Sequence, residues 1–323
     1  MKKKILIIGY GSIGKKHYQI LKKYFQNKFE ISILRTSLKS ASNKINFFFN
    51  IQNALKFKPN YVIICSAANR HYYYYKKFKN IAEKFFIEKP LIDKLDINKL
   101  KIFNTVNNVY VGYFLHFNPI IEFLKKTIKK KISKILYVRI EVGYNLKYWR
   151  KGRKYWETVS AKKSTGGGVL NELSHELDLA TNLFGLPVKV FSTLGKYSNL
   201  KINVEDLLEC QLIYPKKIVS LNLNFLEDKL NRKIKIILND QVIECSLANN
   251  SIVFIKKNKK IIKKFKFKNE NIYKKQFEYF LSKDNFQDKR FSTLKSSIDI
   301  VKLINQLKVS NHQRKEVNAQ SKI

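Results

Sequence analysis

Three glycines near the start of the chain have the spacing of a phosphate cradle. Ile5-Leu-Ile-Ile-Gly9-Tyr-Gly11-Ser12-Ile13-Gly14 is an apolar strand running straight into GxGxxG, followed by a helical stretch. Gly9 permits the tight turn, Gly11 lets the backbone come close to a pyrophosphate, and Gly14 lets the helix lie near the strand. The first turn of that helix, at Ser12 and Ile13, then offers backbone N–H groups and a positive dipole end to phosphate oxygens. The spacing alone is a weak signal. A strand before it, a helix after it and a second strand at the expected distance make it a dinucleotide site. At the tip of that second strand an acidic residue would hold the ribose 2′-hydroxyl of NAD. This chain has Leu34-Arg35-Thr36-Ser37 there. A guanidinium beside hydroxyls suits a 2′-phosphate, so the expected cofactor is NADP or NAD, with NADP preferred.

The elements that must position this loop alternate between two periods. Lys4–Ile8, Glu30–Leu34, Tyr61–Cys65, Phe85–Ile87 and Val109–Tyr113 read as short buried strands, with helices at Ile13–Phe25 and His71–Lys79. Strands separated by helices predict a doubly wound parallel sheet covered on both faces. After Pro119 the rhythm changes. A helix over Ile120–Lys130 leads to a strand over Ile135–Val142, a polar aromatic segment, a glycine run and one helix near 169–184. Apolar segments near 188–194, 207–213, 218–225, 233–238, 241–247 and 252–255 follow. They predict an antiparallel or mixed sheet. Helices at Ile272–Leu281 and Leu294–Leu307 precede a polar tail expected to fray. The fold class is therefore α/β: a Rossmann domain over 1–117, then an α+β domain over 118–323 with an open-faced, largely antiparallel sheet.

Composition excludes several classes. The 323 residues are 45% hydrophobic and 13% aromatic, which is globular. No apolar run approaches the roughly 20 residues that span a bilayer. Only Ile5 to Ile8 are apolar before Gly9, shorter than the about 7–15 residues of a signal-peptide core, so a cytoplasmic protein without a membrane partner is expected. Cys65, Cys210 and Cys245 are far apart and form no CxxC or Cys/His cluster, so no disulfide framework and no metal site is expected. The net charge of +40 invites a nucleic-acid reading. The lysines, however, run along the whole length without a basic stripe, and arginine is scarce. No nucleic-acid partner is expected.

Five further segments carry a family resemblance. They are Ser66-Ala-Ala-Asn69-Arg70-His71; Phe86-Ile-Glu88-Lys89-Pro90; Val111-Gly112-Tyr113-Phe-Leu-His116-Phe117-Asn118-Pro119; Tyr148-Trp149-Arg150-Lys-Gly-Arg153-Lys154-Tyr155 through Ser160-Ala161; and Gly166-Gly-Gly168-Val-Leu-Asn171-Glu172-Leu-Ser174-His175-Glu176-Leu-Asp178. In this order, behind a Rossmann start, they resemble the Gfo/Idh/MocA family of sugar and cyclitol oxidoreductases. The aromatic segment looks like a subgroup tied to nucleotide sugars and surface glycans. The resemblance implies hydride transfer between a sugar carbon and nicotinamide, and a homodimer or homotetramer built on the open sheet. It places Ser66, Asn69, His71, Glu88 and Lys89 against the cofactor. Lys89 and His175 would be catalytic and touch substrate, with His116, Trp149, Arg150 and Tyr155 as further substrate contacts. Oxidising an alcohol removes a hydride and a proton together, so a group titrating near neutrality must reach the reacting oxygen. An ammonium beside it steadies the developing alkoxide. His175 and Lys89 supply that pair. The family's usual aspartate one turn before the histidine is missing; Asn171 and Glu172 compete for its place, and Glu172 keeps the carboxylate. His116 stands where arginine is common, and Lys154 where aspartate is. The plainer reading of His71 is that it packs or caps its helix, and His17 and His312 look incidental. An alternative function is a catalytically silent dinucleotide sensor or scaffold of the same fold.

Overall fold

The computed structural model describes residues 2–35, 45–150, 152–282 and 286–319. It divides into two compact units, Met1–Phe114 with Lys268–Ile298, and Leu115–Phe267 with Asp299–Ile323.

The first unit holds a six-stranded parallel sheet of β1 (Lys3–Ile8), β2 (Phe29–Leu34), β3 (Asn46–Phe48), β4 (Tyr61–Ile64), β5 (Lys84–Ile87) and β6 (Val109–Val111). Its order is β3-β2-β1-β4-β5-β6. Ile5 to Ile8, Tyr61 to Ile64 and Phe85 to Ile87 are buried without alternation, as strands covered on both faces require. The helices are α1 (Ser12–Phe25), α2 (Ile51–Lys56), α3 (His71–Phe78) and α4 (Ile97–Asn104). The chain leaves β1 towards β2 and β3, then returns to its other side as β4. This is the topological switch point, where open α/β sheets bind ligands.

The second unit begins with α5 (Pro119–Lys129), β7 (Ile135–Gly143) and α6 (Leu146–Trp149). Two short helices follow, α7 (Val169–Glu172) and α8 (Ser174–Phe184), then β8 (Lys189–Gly195), β9 (Leu207–Tyr214), β10 (Lys217–Asn224) and β11 (Asn231–Leu238). β12 (Val242–Ser246), β13 (Ser251–Lys256) and β14 (Lys259–Lys264) complete the run. After α9 (Asn269–Ser282) and α10 (Leu294–Gln313) comes β15 (Val317–Asn318). The sheet runs β14-β13-β12-β11-β7-β10-β9-β8-β15. The β7–β10 pair is parallel and every other pairing is antiparallel. On β7, Val138, Ile140 and Val142 face the core while Arg139 and Glu141 face out. Phe191, Gln211, Ile218 and Lys235 continue the outward face on neighbouring strands and are exposed, which is the open face expected.

Four expectations need correction. Residues 268–298 pack with the first unit, so the division at 117/118 into continuous domains does not describe the contacts. The aromatic face of α9 is the cause: Phe277 and Phe280 lie 5.3 and 5.6 Å from the Phe86 ring, and Gln276 donates to the Tyr110 hydroxyl at 3.1 Å. The helix near 169–184 is broken at Leu173 (φ −104°, ψ 24°). The tail does not fray at once: α10 runs to Gln313, and Val317 pairs with Val190. Finally, β14 escapes sequence reading because all six of its residues are exposed, and it is placed by its ladder to β13.

Candidate active site

The cradle of the first unit is built by exclusion. Gly9 has φ +96° and its N–H bonds to the Leu34 carbonyl at 2.9 Å; a β-carbon there would stand 2.8 Å from the Cys65 carbonyl oxygen. At Gly14 a β-carbon would run into the Gly9 carbonyl oxygen, so helix and turn touch because that side chain is missing. Gly11 is different. Nothing lies within 4 Å of the place a β-carbon would take there, and no side chain caps α1. The first-turn N–H groups at Ser12 and Ile13 thus border open space at a switch point. These residues fit a dinucleotide pyrophosphate.

At the tip of β2 the Arg35 guanidinium lies over the rings of Phe47 (5.1 Å) and Tyr10 (5.9 Å), which keeps it beside the glycine turn. Thr36 falls outside the described residues. Ser66 and Asn69 follow β4, half-exposed and exposed respectively, around a single 3-10 turn at Ala68–Arg70.

His71 is buried, and its ring nitrogens meet two backbone carbonyls, Nδ1 at Pro90 (2.9 Å) and Nε2 at Ser66 (3.1 Å). Burial pushes its pKa down, against the pull of those carbonyls. The ring ties the loop after β4 to the turn after β5 and so braces both. That turn contains a cis Lys89–Pro90 bond. Glu88 is buried beneath it and Lys89 is half-exposed. The Glu88 carboxylate accepts from His17 Nε2 at 2.6 Å. His17 is therefore not incidental. Nothing local announced this bond, because the partners are 71 positions apart.

In the second unit the glycine run is pinned before it becomes helix. A β-carbon on Gly167 would stand 2.5 Å from the Val159 carbonyl, and one on Gly168 (φ +105°) would collide with the Glu205 carboxylate. Burial pushes that Glu205 carboxyl up. Asn171 is buried and its amide donates to the Gly166 carbonyl at 3.0 Å, while Glu172 is half-exposed at the end of α7. Of the two residues competing for the aspartate's place, Asn171 is committed to the backbone. His175 is the second residue of α8, 6% exposed.

His116 is held on both sides of its ring. It is buried with Nε2 2.6 Å from Asp178 and Nδ1 2.8 Å from the Lys125 ammonium. An ammonium can only donate, so Nδ1 accepts, Nε2 carries the proton, and the proton points to Asp178. Both ring nitrogens are used, which makes His116 a brace between α5 and α8. Burial lowers the Lys125 pKa to about 8, against the pull of Asp178 and Glu122. Glu176, also buried, receives the Arg232 guanidinium at 2.8 and 2.7 Å. Neither Lys125 nor Arg232 stood out in the sequence.

The aromatic segment is anchored to its own unit. Trp149 Nε1 donates to the Tyr144 carbonyl at 2.8 Å, and its ring meets Phe225 edge-on at 5.2 Å. The Tyr155 hydroxyl accepts from the Lys201 N–H at 3.1 Å. Arg150 is half-exposed between them in sequence. Among the described residues no His/Cys/Asp/Glu group could hold a metal ion. No described helix is long and apolar enough to cross a membrane.

A phosphate cradle on a parallel sheet, followed by a mixed open sheet, defines the two-part class of dinucleotide-dependent oxidoreductases. Residues 3–103 match the oxidoreductase family with an NAD-binding Rossmann fold, and residues 122–241 match the GFO/IDH/MocA C-terminal domain. The chain belongs to this family of NAD-binding oxidoreductases. No curated protein matches it by sequence. Among solved structures, levoglucosan dehydrogenase in complex with NADH superposes with a TM-score of 0.82 at 13% identity, covering 100% of both chains. A Desulfitobacterium hafniense protein described as an NADPH-dependent oxidoreductase gives 0.80 at 14%, covering 98% of each. The Gal80p super-repressor mutant of Saccharomyces cerevisiae gives 0.79 at 15%, covering 99% of this chain and 97% of its own. At these identities the likeness is one of fold.

Proposed function

We propose that the chain is a cytoplasmic, NADP- or NAD-dependent oxidoreductase, with NADP preferred. Its substrate is the hydroxyl or carbonyl of a sugar, nucleotide-linked and destined for surface glycans. The observation that carries this reading is a glycine cradle that admits a pyrophosphate in a chain of this family that keeps Lys89 and His175. Gly9, Gly11, Ser12, Ile13 and Gly14 hold the pyrophosphate, Arg35 and Thr36 the 2′ position, and Ser66, Asn69, Glu88 and Lys89 border the rest of the dinucleotide. The nicotinamide, when bound, supplies the hydride acceptor or donor. His175 takes or gives the hydroxyl proton, and Lys89 stabilises the charge that develops on the same oxygen. Glu172 orients His175, while Trp149, Arg150 and Tyr155 shape the substrate's surroundings. Homodimers or homotetramers form through the open sheet.

The test follows absorbance at 340 nm over a panel of nucleotide sugars. Wild type should turn over at least one of them, and Lys89→Ala and His175→Ala should each lose at least about a hundredfold in kcat. Undiminished turnover in both variants would remove the assigned roles. A second reading, a catalytically silent dinucleotide sensor, is favoured by one observation: neither candidate for the family's aspartate place is an aspartate, and the Asn171 amide is bonded to the Gly166 carbonyl. Tight dinucleotide binding without turnover on any sugar would select it.

A further inference from the structure

His17 lies in an aromatic cage. Its ring meets Phe277 at 5.0 Å, Phe86 at 5.3 Å and Tyr273 at 6.0 Å, and the residue is fully buried. An imidazole so enclosed must find a polar partner or forfeit its hydration. It finds one, the Glu88 Oε1 at 2.6 Å, and Nδ1 has no hydrogen-bond partner among the described residues. This fixes the tautomer. A proton on Nδ1 would be buried without an acceptor, whereas a proton on Nε2 is donated to Glu88.

The other carboxylate oxygen, Oε2, accepts the backbone N–H of Lys89 at 3.3 Å. One carboxylate therefore bridges a ring on α1 and the peptide of Lys89. It lies close to the chain at Gly112, where a β-carbon would come within 3.3 Å of Oε1 and 2.8 Å of the Phe86 ring. His17 follows Gly14 by three positions, so the helix that opens at the phosphate cradle carries the donor on its buried side.

We propose that His17 is a positioning residue for Lys89, acting through the Glu88 carboxylate. The bridge fixes the Lys89 peptide relative to the glycine cradle, and with it the reach of the ammonium toward the reacting oxygen. The catalytic consequence rests on the sugar oxidoreductase reading; the bridge itself does not.

The experiment compares full-length wild type with His17→Gln, His17→Asn and His17→Leu. Glutamine places an amide N–H near the position of Nε2, asparagine falls short of it, and leucine fills the cage without a donor. Three readouts are taken: NADH affinity by fluorescence, the rate of Lys89 acylation by an amine reagent resolved by peptide mass spectrometry, and kcat on the sugar that wild type accepts. In His17→Asn and His17→Leu, Lys89 acylation should change at least about threefold and kcat should fall at least about tenfold. NADH affinity should stay within about threefold, and His17→Gln should recover both other readouts to within about threefold of wild type. Unchanged Lys89 acylation in the asparagine and leucine variants, or a glutamine variant as impaired as asparagine, would overturn the proposal. Should leucine fail to fold, the glutamine–asparagine comparison decides. Should wild type turn over no sugar, the activity reading falls and the acylation rates alone judge the bridge.

Discussion

Single side chains in this molecule are held by charge and by exclusion of water. Lys125 is the sharpest case. Its ammonium is buried against His116, and burial lowers its pKa from 10.5 to about 8. The unfolded chain therefore binds the extra proton between about pH 8 and 10.5, and stability attributable to this residue rises with pH across that window. Below pH 8 both states are charged and the burial penalty is felt in full. Lys125→Met should gain over wild type below pH 8 and lose that advantage towards pH 10.5, with a swing on the order of 3 kcal/mol. Urea unfolding of both proteins at pH 7 and pH 10 measures it; a pH-independent difference would refute the assignment. Arg35 makes a separate prediction. Its guanidinium, laid over Phe47 and Tyr10, faces the place of a 2′-phosphate in the proposed complex. Arg35→Ala should raise the KM for NADP by about tenfold or more and leave that for NAD within about twofold. An unaltered NADP:NAD ratio would sink the preference.

At the scale of elements, what was legible in the sequence was whatever depends on neighbours. The strand, the three glycines and α1 are contiguous, and Gly9 and Gly14 each answer a steric demand made by nearby backbone, while Gly11 leaves open space for a ligand. The two glycines Gly11 and Gly14 should therefore respond differently to alanine. At Gly11 the new methyl meets no protein atom, so thermal stability should hold while dinucleotide affinity falls. At Gly14 it collides with the Gly9 backbone, so both should fall, with stability lost by roughly 1–3 kcal/mol. Calorimetry with NADH titration separates these outcomes. Bonds between distant elements were not legible. His17 with Glu88, His116 with Asp178 and Arg232 with Glu176 are 71, 62 and 56 positions apart, and no local pattern announces a bond over such separations. The break at Leu173 was hidden because apolar periodicity continues from Val169 into α8, although the backbone does not. β14 was hidden for the opposite reason: with all six residues exposed, it has no buried side to mark it.

For the whole molecule, charge and the open sheet decide what it meets. The 64 lysines and arginines against 24 acidic residues repel at long range, yet the outward sheet face carries both signs together, with Arg139 paired to Glu141 and Lys235 to Glu244. Phe191 and Ile218, 39% and 38% exposed, put apolar area on the same face. A mixed face of this kind suits a second copy better than a polyanion. Sedimentation should give a dimer or tetramer at micromolar concentration, and the double variant Phe191→Glu/Ile218→Glu should sediment as a monomer. A wild-type monomer would remove the assembly proposal without touching the active site.

The return of α9 to the first unit has a consequence for the order in which the chain matures. On the ribosome, the glycine cradle emerges early, but Phe277 and Phe280, which close over Phe86 and His17, are made only after strands β7 to β14 of the large sheet. The nascent nucleotide fold must wait, with an aromatic seam uncovered, until the chain is nearly finished. The unit whose synthesis begins first is thus among the last to be sealed.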